Sequence, residues 1–206
     1  MARRVRPPDE YIEINAILGG LYFQELSMHT YIALLRGINV NGQKMMSMEK
    51  LRTLLEDLGF TGVTTYIQSG NVVFQAGKAP YFTLEKKMQA AISDMFGFSV
   101  PVIVKTVNEW SEVVKKNPFL GRENIDESKL HVTFLSDTPN QATVDEILAG
   151  EYGSDECIFS GKTVYLFCPN GYGKTKLNNA FFEKKTNLIA TTRNWKTISK
   201  LLELSV

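Results

Sequence analysis

The sequence predicts an α+β protein made of two linked ferredoxin-like halves (βαββαβ-type) with mostly antiparallel sheets, the second half ending in a helix. Two patterns favour this class. Elements in the order β-α-β-β-α-β occupy residues 28–105, and most of that order returns in residues 106–206. The length of 206 residues suits one large domain or two small ones.

The first half begins with an apolar run at residues 31–35, which is typical of a buried strand. Ser47 is placed to cap an amphipathic helix that ends near Gly59. Strands at 64–68 and 72–75 flank a Ser-Gly-Asn turn and predict a hairpin.

A second amphipathic helix ends at Gly97, and a strand at 100–105 completes the first half. That strand contains Pro101. In the ferredoxin-like fold the fourth strand lies at a sheet edge, where proline is tolerated, so the position of Pro101 supports the predicted order.

The second half begins with a connector helix, because Thr106 and Glu109 have the spacing of a capping box. The elements predicted next are a strand at 130–135, a short helix after Pro139, hairpin strands at 156–160 and 163–167, and a helix at 175–185. A helical stripe that includes Trp195 follows where a fourth strand would come. The predicted order is therefore β-α-β-β-α-α.

Composition excludes several classes of protein. No apolar run approaches the roughly 20 residues needed to span a bilayer. Cys157 and Cys168 lack a CxxC spacing, which predicts reduced thiols and a cytoplasmic location. His29 and His131 are too few and too scattered for a zinc site, so we predict neither a metal nor a cofactor.

Charge is uneven along a chain whose formal net charge is +1. From Lys162 to the end there are eight Lys and Arg residues against two Glu residues, which favours an anionic partner for this part. The alternative is a solvated surface whose field is cancelled by the acidic remainder.

Residues 1–27 differ in character from the rest of the chain. Residues 24–27 can be encoded with AGGAG just ahead of Met28, as in a bacterial ribosome-binding site. We therefore expect Met28 to be the native start and residues 1–27 to be a non-native leader; the alternative is a genuine flexible extension.

Two polar loops are predicted to meet, because the first and third strands of a ferredoxin-like sheet are antiparallel neighbours. Backbone N–H groups of Gly-rich loops approach ligands closely and favour anions. The candidate ligand-binding residues here are Arg36, Gly37, Asn39, Gln68, Ser69, Gly70 and Asn71. The structural alternative is ordinary turn chemistry, with Arg36 paired to a nearby acid.

Three C-terminal residues extend this candidate site. Arg193 and Asn194 are predicted to open the last helix, where free N–H groups attract anions; the alternative is simple helix capping by Thr191 or Thr192. Lys174 lies in a Gly-rich loop that resembles a P-loop but has Cys168 where the motif requires glycine, which leaves only a loop lysine that can contact phosphate.

No catalytic constellation is evident, so the catalytic residues are unknown and enzymatic activity is left open. His131 lies in an apolar run and is favoured as a packed residue rather than a base. Ser69 lacks the G-x-S-x-G context of a nucleophile.

Three segments closely resemble a bacterial family called domain of unknown function 1697: LLRGINVNGQ at 34–43, TYIQSGNVVF at 65–74 and TTRNWKT at 191–197. The resemblance covers essentially the whole chain from Thr30 onward and implies two linked α+β halves. It also implies that the candidate residues above, together with Trp195, are recurrent polar positions of the family. It implies no reaction.

Three functions compete at this point. The favoured one is binding of a phosphorylated or other anionic small molecule at the Gly/Asn-rich loops. A nucleic-acid-binding module is the second, with Tyr31, Tyr66 and Phe74 available for stacking, but near-neutral charge disfavours it. The third is an enzyme acting on a phosphate- or carboxylate-bearing substrate. Membrane association is not predicted, and the oligomeric state is open.

Overall fold

The computed structural model describes residues 28–206, so the expectations for residues 1–27 lie outside the described residues. The first antiparallel sheet has the strand order β2-β3-β1-β4. Its strands are β1 (Met28–Leu35), β2 (Thr61–Tyr66), β3 (Asn71–Gly77) and β4 (Val102–Thr106). Helices α1 (Met48–Asp57) and α2 (Tyr81–Phe96) complete the β-α-β-β-α-β order that the sequence predicts.

The second antiparallel sheet has the matching order β6-β7-β5-β8. Its strands are β5 (Leu130–Leu135), β6 (Glu156–Ser160), β7 (Thr163–Phe167) and β8 (Ala190–Asn194). The helices of this part are α3 (Val107–Lys115), α4 (Gln141–Leu148), α5 (Asn179–Thr186) and α6 (Trp195–Glu203). The two similar halves and the terminal helix agree with the predicted fold class.

The predicted order β-α-β-β-α-α of the second half is wrong, because it omits β8. Residues 190–194 pair with β5 along five residue pairs, and the helix begins only at Trp195. Thr191 and Arg193 are therefore strand residues and do not open a helix. The short strand was missed because its polar residues lack the apolar alternation by which exposed strands are recognised.

Two boundaries also differ from the predictions. The helix expected at 175–185 begins at Asn179, after a 3₁₀ turn at Tyr172–Lys174. Pro101 precedes β4 instead of lying inside it, and β4 occupies a sheet edge as predicted.

The core joins the two sheets. Alternate residues of β1 point to opposite faces: Tyr31, Ala33 and Leu35 pack with α1 and α2, whereas Ile32 and Leu34 enter a central cluster. That central cluster also contains residues of the second sheet and of α3 and α6. A third cluster lies between the second sheet and α5. The inner face of the first sheet is therefore covered by the second half.

None of the helices within residues 28–206 is both long enough and apolar enough to cross a membrane.

Candidate functional site

The two polar loops predicted to meet do lie side by side at one rim of the first sheet. Leu34 is opposite Asn71 in the β1–β3 register, and the Leu35 N–H donates to the Gly70 carbonyl at 2.8 Å. The Asn39 side-chain amide donates to the Gln68 carbonyl at 2.9 Å. Strand adjacency thus joins segments that are about thirty residues apart in sequence.

Asn39 shapes the loop between β1 and α1. Its Oδ1 accepts from the Met46 N–H at 2.7 Å, and its Nδ2 donates to the Met46 carbonyl at 3.0 Å. Its φ is 53°, a left-handed conformation that asparagine tolerates better than most residues. Gly37, with a φ of 73°, turns the chain into the same loop. The Asn39 side chain is therefore used to hold the rim together.

Gly70 is required by close packing. Its φ is +75°, and a Cβ placed on it would lie 2.6 Å from the Leu35 Cβ and 2.8 Å from the Ile38 Cδ1. Any side chain here would displace the end of β1, so the glycine sets how closely the two rim loops approach.

Asn71 is fully buried at the start of β3. Its Nδ2 donates to the Tyr66 carbonyl and to the Ser69 hydroxyl, both at 3.0 Å. Its Oδ1 accepts a hydrogen bond from the Nε of Arg193, which belongs to the other half of the molecule. Both N–H groups of the Asn71 amide, and its oxygen, are therefore engaged in hydrogen bonds.

Arg193 lies in β8 and is only 8% exposed. Its Nη2 donates to the carbonyls of Leu35 at 2.9 Å and Ser69 at 3.0 Å, across the boundary between the halves. Its Nη1 donates to the Thr191 hydroxyl at 2.8 Å and to the Thr192 carbonyl at 2.9 Å. The placement of Arg193 at an exposed helix terminus is thus wrong, because its guanidinium is enclosed by protein oxygens.

No carboxylate of the described residues pairs with the Arg193 guanidinium, whose acceptors are all neutral. Burial, reinforced by repulsion from Arg36, lowers the pKa of Arg193 to about 10. The group therefore stays charged at neutral pH and contributes an uncompensated positive charge beneath the rim.

Arg36 pairs with Glu183 of α5. Its Nε and Nη2 each donate to one carboxylate oxygen at 3.1 Å, and the two side chains are 27% and 32% exposed. Glu183 also accepts from the Ala190 N–H at 3.1 Å. This is the acid pairing left open for Arg36, and it gives the rim two guanidinium groups but one carboxylate.

Three other candidate residues are exposed. The side chain of Gln68 has no partner within residues 28–206, and neither does that of Lys174 in its 3₁₀ turn. Asn194 caps α6, since its Oδ1 accepts from the Thr197 N–H at 2.9 Å. Of these three, only Gln68 lies beside Asn39.

A cleft of about 480 Å³ opens between the two rim loops. It is lined by Asn39, Met45, Met46, Ser47 and Gln68, and we call it the rim cleft. Met46 is buried, whereas Met45 is 63% exposed at the surface. The sequence prediction included Asn39 and Gln68 but not the other three lining residues, for which the methionine cluster beside the first loop was the available signal.

The histidine and the two cysteines outside the rim are affected by burial. Burial lowers the pKa of His131, whose ring stacks on Tyr172 at a centroid distance of 4.8 Å. Burial raises the pKa of both Cys157 and Cys168 to about 11, so both thiols are protonated at neutral pH. Within residues 28–206 no group of three His, Cys, Asp or Glu residues is arranged to hold a metal.

The aromatic residues considered for base stacking do not form an open platform. Tyr31 and Phe74 are 2% and 0% exposed because they pack beneath the helices of the first half. Tyr66 packs partly against the central cluster. The RNA-binding mode that uses an open sheet face therefore has no counterpart in the part of the chain from Met28 onward.

Comparisons with known proteins agree with this fold. A family model described as "Protein of unknown function (DUF1697)" matches residues 28–165. A solved structure of the conserved bacterial protein SP0830 from Streptococcus pneumoniae is similar, with a TM-score of 0.71 and 22% sequence identity. The match covers 87% of this chain and 100% of that one, and it bears on the fold alone. No curated protein matches the chain significantly.

Proposed function

We propose that this chain, which belongs to the family described as protein of unknown function (DUF1697), binds a small molecule with an anionic group in the rim cleft. The observation that carries the proposal is the buried charge of Arg193, which has no carboxylate partner among residues 28–206 and contacts the carbonyl of Ser69, next to the cleft residue Gln68. Charge of this kind in a partly desolvated place favours a nearby anion.

The Arg193 guanidinium lies close to the wall of the rim cleft. Arg193 Nη2 contacts the Ser69 carbonyl, and Ser69 is the neighbour of Gln68 in the cleft wall. Because that guanidinium already has its hydrogen bonds, it acts on a ligand through its field and not by direct contact.

Direct contacts come from the cleft wall itself. The Gln68 amide is exposed, and Ser47 caps α1 with its oxygen at 3.4 Å from the Lys50 N–H, which leaves the hydroxyl proton to donate. Met45 supplies a flexible apolar surface for the rest of the ligand. This combination suits a phosphate or carboxylate attached to a small apolar body.

We also propose a bacterial, cytoplasmic setting for this activity. The similar solved structure is bacterial, and both cysteines within residues 28–206 are free thiols. Unpaired buried thiols are typical of a reducing compartment.

The test is a thermal-shift screen of nucleotides, sugar phosphates and dicarboxylates. A ligand at one hundred times its Kd should add about 2.7 kcal/mol of stability, a rise in Tm of roughly 5–10 °C for a chain of this size. A Met45→Glu variant, with a carboxylate at the exposed mouth, should lose this response, whereas Met45→Gln should keep it. Absence of stabilisation across the panel, or equal responses from the two variants, would refute the proposal.

A further inference from the structure

A second cleft, of about 500 Å³, lies where the two halves meet. Tyr66 at the end of β2 forms the wall from the first half. The 3₁₀ turn Glu127–Lys129 and one side of α6, from its cap Asn194 to Glu203, form the walls from the second half. We call it the junction cleft; its volume falls within the roughly 300–1,000 Å³ typical of small-molecule sites.

Trp195 lines this cleft and carries an unused hydrogen-bond donor. The residue is 5% exposed and lines the cleft, yet its indole Nε1–H has no acceptor among the described residues. That nitrogen is not completely enclosed by protein atoms, so it keeps some contact with solvent. By contrast, the Nε1–H of Trp110 donates to the Ile198 carbonyl at 3.0 Å. A buried tryptophan normally finds a partner, so Trp195 is prepared for an acceptor from outside.

Two opposite charges in the junction cleft are also unmatched. Neither the Lys196 ammonium nor the Glu127 carboxylate has a partner within residues 28–206, although both line the cleft. The other charged pair in the lining, Lys200 and Glu203, is joined at 2.8 Å and is self-neutralising. One free cation and one free anion in the same cleft are complementary to a ligand that carries both signs.

Neutral groups complete the wall. The hydroxyl of Ser199 makes no hydrogen bond to the described part of the chain, and Tyr66 contributes an aromatic ring. A ring beside free donors fits an apolar side chain next to a polar head group.

We infer that the junction cleft binds a zwitterionic amino acid with an apolar side chain. Its carboxylate accepts from Lys196 and from the Trp195 indole N–H, its ammonium faces Glu127, and its side chain packs on Tyr66. This inference is independent of the proposed function, because the two clefts share no lining residue.

The first test titrates the protein with L-phenylalanine and follows tryptophan fluorescence excited beyond phenylalanine absorption. Trp110 is fully buried and hydrogen-bonded, so the signal reports on Trp195. Phenethylamine lacks the carboxylate and 3-phenylpropanoate lacks the ammonium, and each should bind about tenfold more weakly or worse. Equal binding of 3-phenylpropanoate and L-phenylalanine would show a plain anion site, and absence of saturable binding would show no site; either outcome overturns the inference.

The second test uses calorimetry with variants of the cleft wall. Lys196→Gln should weaken L-phenylalanine binding by about tenfold, whereas Lys176→Gln, another exposed lysine outside the cleft, should leave it unchanged. Trp195→Phe keeps most of the packing and should weaken binding by about three- to tenfold. A response to Lys176→Gln as large as that to Lys196→Gln would overturn the assignment.

Discussion

Gly70 controls the spacing of the rim at the scale of a single residue. It combines a left-handed φ with a contact to the Leu35 side chain that leaves no room for a Cβ. Gly97 has the same φ of +75° but nothing within 4 Å of the Cβ position. A comparison of Gly70 with Gly97 therefore separates the cost of backbone strain from the cost of a steric clash.

A Gly70→Ala substitution should lower the free energy of unfolding by about 2–4 kcal/mol, the sum of left-handed strain and overpacking. Gly97→Ala should cost only about 1–2 kcal/mol, because it adds strain alone. Urea denaturation of both variants measures the difference. Equal losses of stability in the two variants would contradict the prediction, because they would mean that the rim loops move to make room for the added methyl group.

The turn at the rim could be predicted from the sequence, but the contacts that its residues make with Arg193 could not. The Ser69-Gly70-Asn71 turn carries a local signal, and strand adjacency follows from the order of elements. The burial of Arg193 has no local signal, since three of its acceptors, on Leu35, Ser69 and Asn71, lie more than 120 residues away in sequence. Such a contact becomes visible only when both halves are folded.

At the scale of an element, helix α3 also has one contact that the sequence predicts and one that it does not. Its capping box was predicted and is present: the Thr106 hydroxyl accepts from the Glu109 N–H at 3.3 Å, and the Glu109 carboxylate accepts from the Thr106 N–H at 2.9 Å. The Tyr81 hydroxyl adds a bond to the same carboxylate at 2.7 Å, which the sequence did not indicate.

These contacts make the stability of α3 dependent on pH. Burial raises the pKa of Glu109, but hydrogen bonds from Tyr81 and Thr106 outweigh it and hold the pKa below the ordinary 4.5. Because the folded pKa is the lower one, the stabilisation is present above the unfolded pKa and is lost as pH falls through the folded pKa. The difference in unfolding free energy between the wild type and Glu109→Gln should therefore shrink between about pH 7 and pH 3 in urea titrations. A constant difference would contradict the assignment.

Strand β8 is the element that sequence analysis could not find. It is five residues long, runs directly into α6, and includes two threonines, which are also common helix caps. Asn194 is the actual cap. Only pairing with β5 distinguishes the strand from a helix start.

At the scale of the whole molecule, Arg193 is one of the groups that tie the two halves together. It is anchored in the second sheet, yet it donates to the carbonyls of Leu35 and Ser69 in the first. The central cluster adds apolar contact between the same halves. Stability of one half is thus coupled to the other.

Arg193→Met should lower the free energy of unfolding by about 3 kcal/mol or more, because the oxygens of Asn71, Leu35 and Ser69 lose their donor. Arg52→Met, at an exposed site without a partner in the described part, should change it by less than about 0.5 kcal/mol. Urea unfolding followed by circular dichroism measures both. A small effect for Arg193→Met would mean that the rim carbonyls find water instead.

The two free thiols of the second half have a practical consequence for chemical labelling of the protein. Because Cys157 and Cys168 stay protonated far above neutral pH, a maleimide reagent meets almost no thiolate on the native fold. Labelling of the fully buried Cys168 will instead require local openings at the end of β7, so its rate records how often that part of the sheet opens. The labelling rate of native Cys168 therefore reports on local unfolding of the second half.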